Sequence, residues 1–390
     1  MITINDKIRI LGKGVTALAL KDKFPNAILY DDNNFEQYDL NSNELTVVSP
    51  GIPPFNKMVK NSNNLLSDYD LFEKIIPFSI WISGTNGKTT TTQMCQHLLK
   101  EYNCVCGGNI GIPLSSMDEK APIWILETSS FTLHYTNKSK PNIYLLLPIS
   151  EDHITWHGSF KEYQDAKLKP LSLMNENDIA IIPFNFKNIK TNAHVITYKN
   201  SDDLCEYFNI NKSQIKFKEP FLLDAILAMC VRKIIFDEIN YDLINKFVID
   251  NHKIEEFRDK QNRLWIDDSK ATNVDATINA IVPYQEKDIH IILGGDDKGA
   301  NLVPLFENIK NLDIYVYAIG TNTNKIVAYC NEYNIKVENC MFLNIAVEKI
   351  NKNLTINSVA LLSPAAASLD QFTSYAHRGN EFKKLVHSLS

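Results

Sequence analysis

The chain has 390 residues, 44% of them apolar and 22% charged, the proportions of a globular protein of about two to four domains. Its net charge of -6 leaves no broad basic face for a nucleic-acid backbone, so any anionic ligand must be met by local charges. No apolar run approaches the ~20 residues that cross a bilayer, the first residues carry no signal-peptide pattern, and seven cysteines without a C-x-x-C pair read as reduced thiols in the cytoplasm.

In chain order, Ile8 to Leu11 predict a strand, Gly12-Lys13-Gly14 a turn, and the apolar run after it a helix leading to a second strand, Ala27 to Tyr30. This βαβ opening suits a nucleotide. Glycines permit a tight turn near a diphosphate, and Asp31 and Asp32 can accept from ribose or uracil donors, although a plain α/β turn fits the same residues. Val47 to Pro53 reads as a strand ending in a Pro/Gly reversal that includes Ser49 and Gly51.

The stretch around which the chain is organised runs from Ile80 to Thr92. A short buried strand breaks into Gly84-Thr85-Asn86-Gly87-Lys88-Thr89-Thr90 and then into a helix whose Met94, Cys95, Leu98 and Leu99 recur at helical spacing. Such a loop cradles phosphate with backbone N–H groups, Lys88 adds a point charge, and Thr89 offers a hydroxyl to Mg²⁺. Ile82 stands where a full phosphate-loop pattern has glycine, so a structural turn with an incidental lysine is the competing reading.

Further strands end in polar clusters. Gly107 to Pro113 is a turn whose Asn109 amide can contact sugar or phosphate; Ile123 to Leu126 delivers Glu127 to the strand edge where open α/β sheets hold ligands, a position suited to Mg²⁺; Ile143 to Leu147 leads to Asp152 and His153 on the same edge. The helix Phe160 to Leu168 carries Lys167, which by spacing alone is a solvated charge. Ile179 to Ile182 resumes the sheet, Asn200 to Lys218 reads as irregular surface, and Phe221 to Phe236 as a covering helix. A new α/β alternation from about Asn251 brings strand-end clusters at Asp267 to Asn273, Gly294 to Gly299 and Ser363 to Phe372, with strands expected at Ile314 to Ile319 and Cys340 to Leu343.

Together these motifs resemble the Mur ligase family over essentially the whole chain. The resemblance rests on G-T-N-G-K-T-T from Gly84, G-N-I-G around Asn109, E-x-S-S-F from Glu127, E-D-H…H-G…Y-x-x-A-K ending at Lys167, D-S-K-A-T-N from Asp268, G-G-D-x-K ending at Lys298, and S-P-A-x-A-S-x-D-Q-F…R-G-x-x-F from Ser363. The last motif and the short first domain resemble the member that adds D-glutamate to UDP-N-acetylmuramoyl-L-alanine.

The resemblance implies an α/β fold of three domains: a Rossmann-like UDP-substrate domain (1–77), a central ATPase with a parallel or mixed sheet (78–251), and a Rossmann-like domain (252–390) that closes over ATP and brings the amino acid. It implies a cytoplasmic enzyme using ATP and two Mg²⁺ ions, with small-molecule substrates and no nucleic-acid or membrane partner. A monomer is expected from the lack of an apolar surface stripe. Residue by residue, Thr89 and Glu127 match ligands of one magnesium and His153 a ligand of the second. Lys167 matches a carbamylated lysine, which reverses the solvated reading because a carbamate is an anion that can bind the metal. Lys88, His153, Lys167 and Asn109 carry the catalytic roles. Lys253, Asp268 and Lys270 join the nucleotide cleft, with Asp268 at the ribose. Thr272 and Lys298 match the α-carboxylate site of D-glutamate, and Ser368 and Tyr375 its side-chain carboxylate. Val15, Thr16, Asp31 and Asp32 would face uracil, with Ser49, Gly51 and Asn109 also on the substrate.

The chain departs from the family at Pro220 to Asp224, where an H-N-x-x-N start contacts adenine, at Lys253, where an arginine is usual, at Asn33, where an arginine often meets the UDP phosphates, and at Pro148, which replaces an asparagine. Alternatives are a folylpolyglutamate-type or other Mur-type ligase, a nucleotide-driven binding switch, and a dinucleotide oxidoreductase suggested by the Gly12 turn.

Overall fold

The computed structural model describes residues 7–389, which fall into two compact units divided between Phe247 and Val248.

The first unit contains two sheets. Strands β1 (Arg9–Leu11), β2 (Ile28–Tyr30), β3 (Thr46–Val48) and β4 (Leu65–Leu66) form a parallel sheet in the order β2-β1-β3-β4. Six longer parallel strands follow, β5 (Phe78–Ser83), β6 (Cys104–Gly108), β7 (Ile123–Glu127), β8 (Ile143–Leu146), β9 (Ile179–Pro183) and β10 (His194–Tyr198), in the order β10-β9-β8-β5-β7-β6. Runs such as Ile80-Trp81-Ile82 and Ile143 to Leu146 are apolar throughout because helices cover both faces of a parallel sheet. The chain order reverses around β5, whose neighbours are β7 and β8. The carboxyl ends of these three strands therefore border the crevice in which doubly wound sheets bind ligands.

The two sheets share one core. Ile8, Ile10, Leu20 and Phe72 from the first 77 residues join Trp81, Trp124 and Tyr144 in one buried cluster, and the Tyr69 ring stands edge-on to Trp81 with centroids 4.9 Å apart. Each tryptophan removes ~150–250 Å² from water, worth on the order of 4–6 kcal/mol.

The second unit is a six-stranded sheet in the order β11-β12-β16-β13-β14-β15, from β11 (Glu255–Arg258), β12 (Leu264–Asp267), β13 (Ile289–Gly294), β14 (Ile314–Ile319), β15 (Lys336–Met341) and β16 (Val359–Leu362). Only β11 among these runs antiparallel to its neighbour. Alternate residues feed two cores, one on each face: Ile266, Ile291 and Leu361 meet Phe306, whereas Trp265, Ile292 and Leu362 meet Phe382.

Three local expectations change. The stretch expected to be irregular holds a helix, Ser201–Phe208, because the Asn200 side chain accepts from the N–H groups of Asp202 and Asp203 while Leu204, Cys205 and Phe208 turn inward. The helix of Lys167 runs from Phe160 to Leu173 and tolerates Pro170 inside it. The strand expected at Cys340 to Leu343 is instead β15 at Lys336–Met341, a half-exposed edge strand whose polar residues hide its pattern, and Leu343 already starts a helix.

Candidate functional site

Loop and helix geometry at the end of β5 suits a phosphate. Gly84 and Gly87 adopt φ values of 142° and 82°. A Cβ on Gly84 would lie 2.5 Å from the Leu147 Cβ, and one on Gly87 2.5 Å from an Asp224 carboxylate oxygen, so only glycine fits at either position. The helix Lys88–Leu99 begins directly behind the loop, aiming its positive end at the turn. Lys88 folds back so that its Nζ donates to the carbonyls of Gly84 (2.9 Å) and Thr85 (2.7 Å). Thr85 is buried and tied to the β8 side, with its Oγ1 2.9 Å from the Tyr163 hydroxyl and accepting from the Ser150 N–H at 2.9 Å. Asn86 and Thr90 complete the turn and the first helical residues.

Glu127, fully inside the fold at the end of β7, accepts from the Thr89 hydroxyl at 2.8 Å through one oxygen and from the Asn109 amide at 2.7 Å through the other. The Asn109 N–H also donates to the Glu127 carbonyl. These are hard oxygen donors, the chemistry Mg²⁺ selects, so Thr89 and Glu127 fit that ion.

Lys167 is 1% exposed, which overturns the solvated reading that spacing alone suggested. Its Nζ donates to the Gly84 carbonyl at 2.7 Å and stands 4.8 Å from the centre of the Tyr163 ring. Burial, and secondarily the charge of Lys88, pushes the amine well below the usual lysine range. His153 takes a φ of 54° at the start of the short helix Ile154–His157. Its ring remains half-exposed, edge-on to Phe131 at 4.7 Å. Lys88, Thr89, Glu127, Asn109 and Lys167 thus converge on one strand edge, with His153 at its rim.

In the small first sheet, Lys13 pairs with Asp31 at 2.9 Å, and its hydrogen bond holds the Asp31 carboxyl below the usual range. Asp32 accepts from Asn56. Val15 and Thr16 open the helix after Gly14, with Val15 70% exposed. Ser49 is buried against Gly12, where a Cβ would approach its own Cβ to 2.8 Å. The Pro/Gly reversal is fastened across to the six-stranded sheet: Tyr135 donates to the Ile52 carbonyl at 2.7 Å and Trp156 to the Gly51 carbonyl at 3.4 Å.

The second unit gathers its own candidates. Asp268 is buried and accepts from Ser363 at 2.6 Å and from the Ile254 N–H at 3.1 Å, and burial raises its carboxyl to about 7. Lys270 lies over the Tyr375 ring at 4.1 Å, while Lys253 pairs with Asp250 at 3.0 Å. Asp296 and Ala367 exchange two backbone hydrogen bonds of 2.9 Å, which brings the segments carrying Lys298 and Ser368 side by side. Thr272 is exposed just before the helix Val274–Ile281.

Residues 82–252 match the Mur ligase middle domain. A Campylobacter jejuni UDP-N-acetylmuramoylalanine–D-glutamate ligase (subsp. jejuni serotype O:23/36, strain 81-176) is 49% identical over 98% of this chain and 100% of its own, and a Helicobacter pylori J99 protein of the same name is 45% identical over 97% and 99%. The chain belongs to the Mur ligase family. Solved Mur ligases share the fold at low identity. The MurF ligase from Thermotoga maritima, in complex with ADP, superposes with a TM-score of 0.60 at 13% identity over 98% of this chain and 94% of its own. A folylpolyglutamate synthase from Mycobacterium tuberculosis gives 0.54 at 12% identity over 80% and 93%.

As a Mur ligase the chain has residues at the site to which its motifs gave no role. Asp224, in the segment where the sequence departs from the family, accepts from the Thr91 hydroxyl at 2.9 Å and packs on Gly87; it braces the phosphate loop from behind. Tyr163 lies four residues before Lys167, a spacing that places both on one helix face and could have flagged it. His157 is buried with its Nε2 2.9 Å from the Ser130 hydroxyl, a pairing between two of the motifs, H-G and E-x-S-S-F, that neither shows by itself.

Proposed function

We propose that this Mur ligase joins D-glutamate to UDP-N-acetylmuramoyl-L-alanine in peptidoglycan precursor synthesis, forming an amide bond and releasing ADP and phosphate. The observation that carries the reading is the buried Lys167 amine beside the phosphate loop and the Thr89–Glu127–Asn109 group. A phosphate-binding loop alone would serve a switch. A lysine sealed among oxygen donors has no use there, whereas a ligase that must bring a carboxylate to a triphosphate needs ordered neutralisation of that crowding.

The substrate carboxylate attacks the γ-phosphorus of ATP, the bond to ADP breaks, and an acyl phosphate forms. The D-glutamate amine then attacks the acyl carbonyl, loses a proton, and phosphate leaves from the tetrahedral intermediate. Lys88 contributes positive charge at the γ-phosphate, and the loop N–H groups with the helix end orient the chain of phosphates. Mg²⁺, when bound, screens the phosphoryl oxygens; Thr89 and Glu127 fit one ion, and His153 with Lys167 the other. Lys167 fits only as a carbamate, since an ammonium repels a cation. Its depressed basicity supports that form: the neutral amine attacks CO₂, an N–C bond forms and one proton leaves.

Asp31, Asp32, Val15 and Thr16 bind uracil in this reading, with Ser49, Gly51 and Asn109 along the sugar and peptide. Asp268, Lys270 and Lys253 serve the nucleotide; Thr272, Lys298, Ser368 and Tyr375 take the two carboxylates of D-glutamate. We assign residues 1–77 to the UDP moiety, 78–251 to ATP and 252–390 to the amino acid, in an enzyme that acts as a cytoplasmic monomer. Among the described residues no helix is long and apolar enough to cross a membrane.

The deciding experiment measures phosphate release from ATP with each substrate omitted in turn. Release that needs both UDP-N-acetylmuramoyl-L-alanine and D-glutamate is expected. Hydrolysis indifferent to either would leave a nucleotide switch, and a preference for another amino acid in a panel would assign a different family activity.

A further inference from the structure

Lys298 lies on a loop whose shape is imposed from outside it. The loop leaves β13 at Gly294 and reaches the helix Val303–Ile309. Lys298 itself adopts a φ of 50°, in the left-handed region that L-residues avoid, and Gly299 follows at 76°. Inside the loop, the Asp296 carboxylate accepts from the Lys298 N–H at 3.0 Å and the Asp297 carboxylate from the Gly299 N–H at 2.9 Å. At its near end the Gly295 N–H donates to the Asn322 side chain at 3.0 Å and the Thr321 hydroxyl donates to the Gly295 carbonyl at 2.9 Å. At its far end Lys325, on the helix Thr323–Glu332, donates to the Asp297 carboxylate at 2.8 Å and to the Ala300 carbonyl at 2.7 Å. One ammonium thus clamps both flanks of Lys298.

The clamp also settles a charge. Asp297 is mostly enclosed, its side chain 13% exposed, one residue from a lysine expected to meet an anion. Burial raises its carboxyl, and hydrogen bonds from Lys325, the Gly299 N–H and Asn322, together with the Lys325 charge, bring it below the usual range. An unneutralised carboxylate there would repel a second carboxylate arriving at Lys298.

We propose that Lys325 is a positioning residue for amino-acid selection: through Asp297 and Ala300 it fixes the Gly295 to Ala300 loop so that Lys298 presents its ammonium to a carboxylate of D-glutamate, while cancelling the charge of Asp297. The proposal rests on the reading that Lys298 binds that carboxylate. A bare anionic brace would work against the substrate it serves; a brace closed by its own cation does not.

The test uses the full chain with ATP, UDP-N-acetylmuramoyl-L-alanine and D-glutamate, and compares Lys325→Met, Lys325→Arg, Lys298→Met and the Lys298→Met/Lys325→Met double variant. Lys325→Met is expected to raise KM for D-glutamate about ten-fold, with KM for ATP and kcat at saturating D-glutamate each within about three-fold of the parent. Lys325→Arg, which keeps the cation, recovers most of the loss. On the Lys298→Met background the same Lys325 change adds less than about two-fold, since the positioned group is gone. A Lys325→Met enzyme whose KM for D-glutamate is unchanged, or whose KM for ATP rises in parallel, overturns the proposal. If Lys298→Met leaves KM for D-glutamate intact, the assignment of Lys298 itself falls and the brace with it.

Discussion

Two nitrogen bases packed against the Tyr163 ring are buried, with different consequences. Burial first and the charge of Lys88 second depress the basicity of the Lys167 amine, which favours the neutral form that reacts with CO₂. Lys167→Ala should therefore abolish most ligase activity, and added short carboxylic acids should restore part of it by standing in for the carbamate. Full activity in the variant would refute the carbamate. His157 is also enclosed, and burial first, with the neighbouring His134 and His153, lowers its pKa to about 4. The unfolded chain binds this proton near the ordinary value of about 6.5, so between roughly pH 4 and 6.5 the unfolded state holds more protons and stability rises with pH, by at most about 1.4 kcal/mol per unit. The contribution is complete above that window and is lost on acidification. His157→Gln should flatten this slope in urea unfolding at pH 5 and pH 7; parallel losses in parent and variant would exclude it.

The strand, loop and helix around Gly84 form the element on which the site depends, and it was legible because its physics is local. A buried strand, two glycines and a helical stripe announce themselves within a dozen residues, as does Glu127 at the end of its strand. Lys167 was legible only by resemblance, since its partner, the Gly84 carbonyl, lies 83 residues away in sequence. Asp224 lay beyond both routes: it sits where the family pattern breaks, and its contact with Thr91 spans 133 residues. The helix Ser201–Phe208 was hidden by polar composition, although Asn200 is a strong cap signal in hindsight. Asp224 also makes Gly87 irreplaceable. Gly87→Ala would set a Cβ 2.5 Å from Asp224 and 2.6 Å from the Leu147 Cδ2 at a φ of 82°, a strain on the order of 1–3 kcal/mol that the loop can relieve only by moving. Calorimetry should show ADP binding weakened about ten-fold or more, whereas unchanged affinity would mean that this loop does not hold the phosphates.

At the scale of the molecule, the three proposed functional segments fall into two compact units. All the proposed substrates are anionic and the chain itself carries -6, so binding depends on single lysines placed by folded neighbours rather than on a broad field. Those neighbours belong to two compact units. The second unit has a core on each face of its sheet, built from residues after Leu264. The first 77 residues share much of theirs: their small sheet has three strands of three residues and one of two, Ile8, Leu20 and Phe72 are buried in the cluster that includes Trp81 and Trp124, and the smaller cluster of Leu11, Tyr30 and Met58 also takes in Tyr135. A segment of that size buries only ~60% of its unfolded surface even when well formed, and cutting it away from the six-stranded sheet strips Tyr69 of its Trp81 partner. Residues 248–390 expressed alone should therefore unfold in one cooperative transition, and residues 1–77 alone should give the circular dichroism of an unfolded chain. A cooperative melt from the 1–77 fragment would show that the first sheet sustains its own core, and the shared cluster would then be an interface rather than a condition of folding.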